Sequence, residues 1–191
     1  MPLEMTSLNF KLTDGFPSTL PIARKFGLHS TTLRFLIPDD ALKLLAFFSS
    51  HTPDTIYSRY GSFVGMSPEH AMQLVSVNQS CDCALGFFEG DPGALIAIGR
   101  YCLDTTGDSA EVAFVVRENR RGLGIATALL HELRAIAHER GLVRLTAQVE
   151  RNNHSMLEIF RRAGAGLTDS GCGDATTVTL ELGNRPRPEF R

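Results

Sequence analysis

Residues 117–130 read RENRRGLGIATALL, and the fold of the chain turns on how this stretch is interpreted. An apolar strand pattern, AEVAFVV (residues 110–116), runs into it, and from Leu123 onward the hydrophobic period lengthens from two to about 3.6. Leu123, Ala126, Leu129, Leu130, Leu133, Ile136 and Ala137 then share one helical face, opposite Glu132, Arg134, His138 and Glu139. A strand that feeds directly into a helix leaves the helix's first N–H groups without internal partners, and the macrodipole adds roughly half a positive charge there. Gly122 and Gly124 clear side chains from the approach, while Arg120 and Arg121 bring cations beside it. The turn is therefore shaped for a phosphate or pyrophosphate. A P-loop would need a Lys after its last glycine, and a dinucleotide fingerprint would need a third Gly where Thr127 stands, so neither pattern fits. On these residues alone, a plain tight turn with solvated arginines stays open as an alternative.

Outward from that turn, the chain alternates strands and helices. TTLRFLI (31–37) predicts a strand, and Pro38-Asp39-Asp40 opens a helical run, ALKLLAFFSS. Thr52-Pro53 and Ser67-Pro68 each place an N-cap residue before a Pro, which marks two further helix starts. ALGFFE and ALIAIGRYCL flank the turn Gly90-Asp91-Pro92-Gly93 as a hairpin, and a second turn at TTGDS leads into AEVAFVV. After the long helix, Gly141 sits at a C-cap position; VRLTAQVE is a strand, SMLEIFRRAG a helix and ATTVTLEL a last strand. Residues 1–30 show no sustained period and are read as an amino-terminal extension, 31–183 as the domain and 184–191 as a polar tail. The expected fold class is α/β, a mixed sheet with helices on both faces.

Composition narrows the function classes. With 19 basic and 21 acidic residues the formal charge is -2, so no global field draws the chain to nucleic acid or an anionic membrane, and neither is expected as a partner. No apolar run approaches the roughly 18 residues of a membrane span, and residues 1–30 lack the order of a signal peptide, which makes a cytoplasmic location the expectation. The four cysteines form no paired CxxC spacing, and His131 and His138 have no companions that complete a zinc site, so no metal is expected.

Arg121-Gly122-Leu123-Gly124-Ile125-Ala126 matches RxxGxG/A, and in this it resembles the acyl-CoA pyrophosphate loop of the GNAT N-acetyltransferase superfamily. AEVAFVV before it and VRLTAQVERNNHSMLEIFRRAG after it look like that fold's fourth strand, fifth strand and following helix, whose marker residues fall on Asn153, Phe160 and Gly164. Within the superfamily the likeness is nearest to Pat-type protein lysine acetyltransferase domains, through TPDTIYSRY, MSPEHAMQL and GDSAEVAFVV; Ala165 departs from the aromatic usual after the final Gly. The resemblance implies a central, mostly antiparallel GNAT-like sheet and acetyl-CoA as cofactor, with CoA as product. It also implies that backbone N–H groups from Arg121 to Ala126, that is Arg121, Gly122, Leu123, Gly124, Ile125 and Ala126, hold the pyrophosphate. Arg120 or Arg121 would strengthen that grip, and the pantetheine arm would lie along Phe114, Val115 and Val116.

Acetyl transfer to an amine needs a polarised thioester and a neutral nucleophile. A backbone N–H, that of Val115, is the expected donor to the thioester carbonyl. Only about 0.04% of a free lysine amine is neutral at pH 7, so a base is required, and the Pat-type resemblance assigns it to Glu111, on the same strand face as Ala113 and Val115. Asn153 serves equally as a pantetheine contact or as a helix N-cap. Phe160, where many members carry Tyr, has no proton to give and is read as core; a departing thiolate whose conjugate acid has a pKa near 8.5 tolerates that loss. Tyr57, Arg59 and Tyr60 are candidates for the acceptor groove. The acceptor is expected to be a protein lysine, with a small amine, or a silent acyl-CoA-sensing module, as alternatives; a homodimer is compatible with the sequence.

Overall fold

The computed structural model describes residues 20–52, 66–79, 81–169 and 174–183. Eight strands form one sheet in the order β1-β2-β3-β4-β5-β6-β8-β7, where β1 is Ile22–Phe26, β2 His29–Phe35, β3 Cys83–Glu89, β4 Ala94–Leu103, β5 Ser109–Val116, β6 Arg144–Glu150, β7 Gly166–Asp169 and β8 Ala175–Glu181. Every neighbouring pair is antiparallel except β5 and β6. The described α-helices are α1 (Ala41–Ser49), α2 (Pro68–Val75), α3 (Ile125–Glu139) and α4 (His154–Arg162).

The two faces of the sheet bury different helices. Phe87, Ala97, Tyr101, Val112 and Phe114 pack with Ile125, Leu129 and Leu133 of α3 and with Met156 and Phe160 of α4. Leu95, Ile98 and Val115 turn to the opposite face, the first two on one side because the β3–β4 ladder shifts register at Phe87/Phe88, and there they meet Leu44, Phe47 and Phe48 of α1 and Ala71 and Val75 of α2. Gly99 lets α3 approach β4 closely, since a Cβ there would stand 3.1 Å from Leu133 Cδ1 and from Phe114 Cδ1. The helix signals read from sequence are met locally: Ser67 Oγ accepts from the His70 N–H at 3.1 Å and Pro68 occupies the first turn of α2. Gly141 takes φ 76° just past α3.

Two strands carried no sequence signal. β1 lies within the segment read as an extension and joins the sheet edge through β2, while Arg24 ties it to Glu132 of α3 at 2.8 Å. β7 is four residues long at the other edge. The helix start at Thr52-Pro53, with Tyr57, Arg59 and Tyr60, lies outside the described residues, as does the 184–191 tail.

Candidate active site

The site begins where the sheet comes apart. β5 and β6 run parallel and pair at Ser109–Arg144, Ala110–Leu145 and Glu111–Thr146, and no farther, although β5 continues to Val116 and β6 to Glu150. β4, by contrast, pairs with β5 from Ala110 to Val116. The phase of that ladder is set at its two ends: the Arg117 N–H donates to the Ile96 carbonyl at 2.9 Å and the Asp104 N–H to the Ser109 carbonyl at 2.9 Å. Odd-numbered residues of β5 therefore spend their backbone groups on β4, and the even-numbered Phe114 and Val116 turn theirs toward the gap. This decides the fate of the expected carbonyl donor. The Val115 N–H points at Ile98 of β4, so a donor into the gap has to come from Phe114 or Val116 instead.

The gap widens into a cleft of about 630 Å³ lined by β5, the turn, the first residues of α3, the end of β6 and α4. Phe114, Val115, Val116, Arg120, Arg121, Gly122, Gly124, Ile125, Ala126 and Asn153 all reach it. Leu123 does not line it and is 38% exposed. At the head of α3 the first internal bond runs from the Ala128 N–H to the Gly124 carbonyl at 3.0 Å, which leaves the N–H groups of Ile125, Ala126 and Thr127 directed outward at the cleft. No side chain caps them and no acidic residue stands in the first turn. Gly124, the N-cap, has φ 84° and Gly122 has φ 75°, with nothing within 4 Å of where a Cβ would sit at either. These glycines are demanded by backbone conformation, not by crowding. An open helix N-terminus without its own counter-anion is an anion site.

The two arginines of the turn differ. Arg120 donates from Nε and Nη2 to Glu89 Oε2 at 3.0 and 2.9 Å, and the other Glu89 oxygen pairs with His29 Nδ1. Burial would raise the Glu89 carboxyl, but the donors from Arg120 and His29 outweigh it and hold it below its ordinary value. Arg120 thus anchors the turn to β3 before any ligand arrives. Arg121 leans over the Val116 carbonyl, with Nε at 3.4 Å. Across the cleft, Asn153 Oδ1 accepts from the Met156 N–H at 3.2 Å as the N-cap of α4. Thr127, Glu150, Ser155, Ile159 and Arg162 also line the cleft and went unnoticed in the sequence, because nothing in an element's exposed positions tells which neighbour they will face. Beside them, Arg161 and Arg162 hold the Glu158 carboxyl down at about 2.

On the opposite face of the sheet a recess of about 50 Å³ is lined by Phe48, Leu74, Ile98, Arg100, Ala113 and Val115. Val115 is shared by the recess and the cleft, so the two meet through the β5 edge. Glu111 opens onto this face two positions from Ala113, exposed, and its carboxylate makes no hydrogen bond or ion pair among the described residues. It stands about 10 Å along the strand from Phe114. Burial pushes the Cys83 thiol up to about 12, which keeps it protonated and rules it out as a nucleophile. Phe160 is 1% exposed, its ring 6.1 Å from that of Phe114. Among the described residues no group of three His, Cys, Asp or Glu could hold a metal ion, and no helix is long and apolar enough to cross a membrane.

Comparison with known proteins adds to this geometry. A profile described as the Acetyltransferase (GNAT) family matches residues 52–165. Over 136 residues the chain is 30% identical to acetyltransferase Pat of Mycolicibacterium smegmatis, covering 70% of this chain and 40% of that relative's length. The GNAT domain of S. lividans PAT superposes with a TM-score of 0.77 at 25% identity, covering 87% of this chain and 99% of that domain. A putative acetyltransferase of Salmonella typhimurium, yncA, solved with its cofactor acetyl-CoA, shares the fold with a TM-score of 0.68 at 17% identity, over 83% of this chain and 98% of that one.

Proposed function

The chain belongs to the GNAT acetyltransferase family, and from that premise we propose that it transfers the acetyl group of acetyl-CoA to the side-chain amine of a protein lysine. Acetyl-CoA is the acyl donor of this family and no metal is needed. The observation that carries the reading is the open N-terminus of α3, whose Ile125, Ala126 and Thr127 N–H groups face a cleft that runs back along the unpaired edge of β5. Those amides, with Arg121 beside them, hold the diphosphate. Val116 and then Phe114 lie next along the edge, so Val116 receives the pantetheine arm as a partial extra strand and the Phe114 N–H polarises the thioester carbonyl.

The bound cofactor supplies an activated acetyl group; the chain supplies position and a proton acceptor. Val115 separates the cleft from the recess, so the amine approaches from the α1 and α2 face. Glu111, on that face and without a partner among the described residues, takes the amine's proton through intervening water, since it is too distant for direct contact at Phe114. The lysine acceptor is supported by the likeness to Pat.

The test is a turnover assay with acetyl-CoA against peptide lysines and a panel of small amines, run beside calorimetry of acetyl-CoA binding. Acetylated peptide is the expected product. Turnover confined to small amines would replace the lysine reading, and tight acetyl-CoA binding with no acetylated acceptor would replace catalysis with sensing.

A further inference from the structure

Among the described residues, the acceptor face carries a cation, Arg100, that meets no carboxylate. Arg24, Arg34, Arg120, Arg161 and Arg162 each engage a carboxylate. Arg100, half-buried in the wall of the recess, instead donates from Nη2 to Cys102 Sγ at 2.8 Å, a weak acceptor, and has no carboxylate partner among the described residues. The register places Arg100 opposite Ala113, and Cys102 opposite Glu111. A guanidinium and a carboxylate with no partner among the described residues therefore stand next to Ala113 on the surface from which the amine arrives.

We propose that Arg100 selects the acceptor, favouring amines accompanied by a carboxylate, which it binds while Glu111 attends to the amine. The inference rests on the proposed approach of the acceptor from the α1 and α2 face. Guanidinium forks match carboxylates, whereas a doubly charged phosphate would meet Glu111 on the same surface at greater repulsive cost. The carboxylate has two sources, an acidic residue beside a target lysine or the α-carboxylate of a free amino acid, and matched acceptors separate them.

The experiment compares kcat/KM for a lysine peptide with Glu beside the target against the same peptide with Gln, and for free lysine against cadaverine. In one of the pairs the wild type is expected to prefer the carboxylate-bearing member about tenfold or more, the factor a charge-assisted hydrogen bond carries. The pair that shows it identifies the source. Arg100→Gln should bring that ratio close to one and Arg100→Lys should keep part of it, both with the KM for acetyl-CoA unchanged. Equal use of both members of each pair by the wild type, or a preference that survives Arg100→Gln, overturns the inference. Absence of turnover on all four acceptors, with acetyl-CoA still bound, overturns the transferase reading itself.

Discussion

The donor cleft and the acceptor recess share Val115 but are built from different materials. The cleft is made of backbone: three amides at the head of α3, two glycines with positive φ and the open edge of β5. The recess and the surface beside it depend on side chains, with Phe48 and Leu74 over the strands and Arg100 and Glu111 next to Ala113. A backbone site tolerates most sequence change provided the conformation survives, whereas a side-chain site is rewritten by one substitution. The difference teaches where to look for cofactor binding and where for specificity.

The largest effect is expected at the backbone. Gly124→Glu puts a side chain at φ 84° and an anion where the diphosphate binds, and should weaken acetyl-CoA by about a hundredfold or more in calorimetry. Gly124→Ala, which keeps only the conformational penalty, should lose less, about tenfold. Intact affinity in both would break the contrast by showing that the amides do not hold the cofactor.

Next is the base. Glu111→Gln should lower kcat by about a hundredfold at pH 7 with acetyl-CoA affinity preserved, and the deficit should shrink as pH rises toward the amine's own pKa near 10.4. A deficit independent of pH would assign Glu111 a different task. Of intermediate size is Gly99→Ala, whose Cβ would press on Leu133 and Phe114 at 3.1 Å and on Leu129 at 3.2 Å. It should cost about 1–3 kcal/mol of stability in denaturant unfolding, and no loss would mean that α3 has room to shift.

The smallest effect concerns the anchor of the turn. Glu89→Gln should raise the KM for acetyl-CoA only a few-fold, by releasing Arg120, and leave kcat alone. It also has a pH signature. The Glu89 carboxyl is held below its ordinary 4.5 in the folded chain, so its contribution to stability is present above that value and disappears as pH falls through the lower folded one. Thermal unfolding followed below pH 5 should show a shallower decline in the variant than in the wild type; parallel curves would remove Glu89 as the anchor.

Parts of both the donor and the acceptor side were legible in the chain itself. The change of period after Val116, the glycines at 122 and 124, and the Ser67-Pro68 start of α2 are local signals, and the structure meets each with a local interaction. β1 escaped notice because IARKF has no buried position to mark a period, and β7 because four edge residues are too few. The pairing of Arg120 with Glu89 was equally invisible, since the carboxylate arrives from β3.

The amino-acid order alone determined the helices, the inner strands and the character of the central turn, because helix period, caps and glycine conformations depend on near neighbours. Only the tertiary structure decided that Phe114 and Val116, and not Val115, turn their amides into the gap, and that Arg120 meets a carboxylate while Arg100, among the described residues, does not. Ladder phase and ion pairing are set between strands distant in sequence, where no local pattern records which groups will meet.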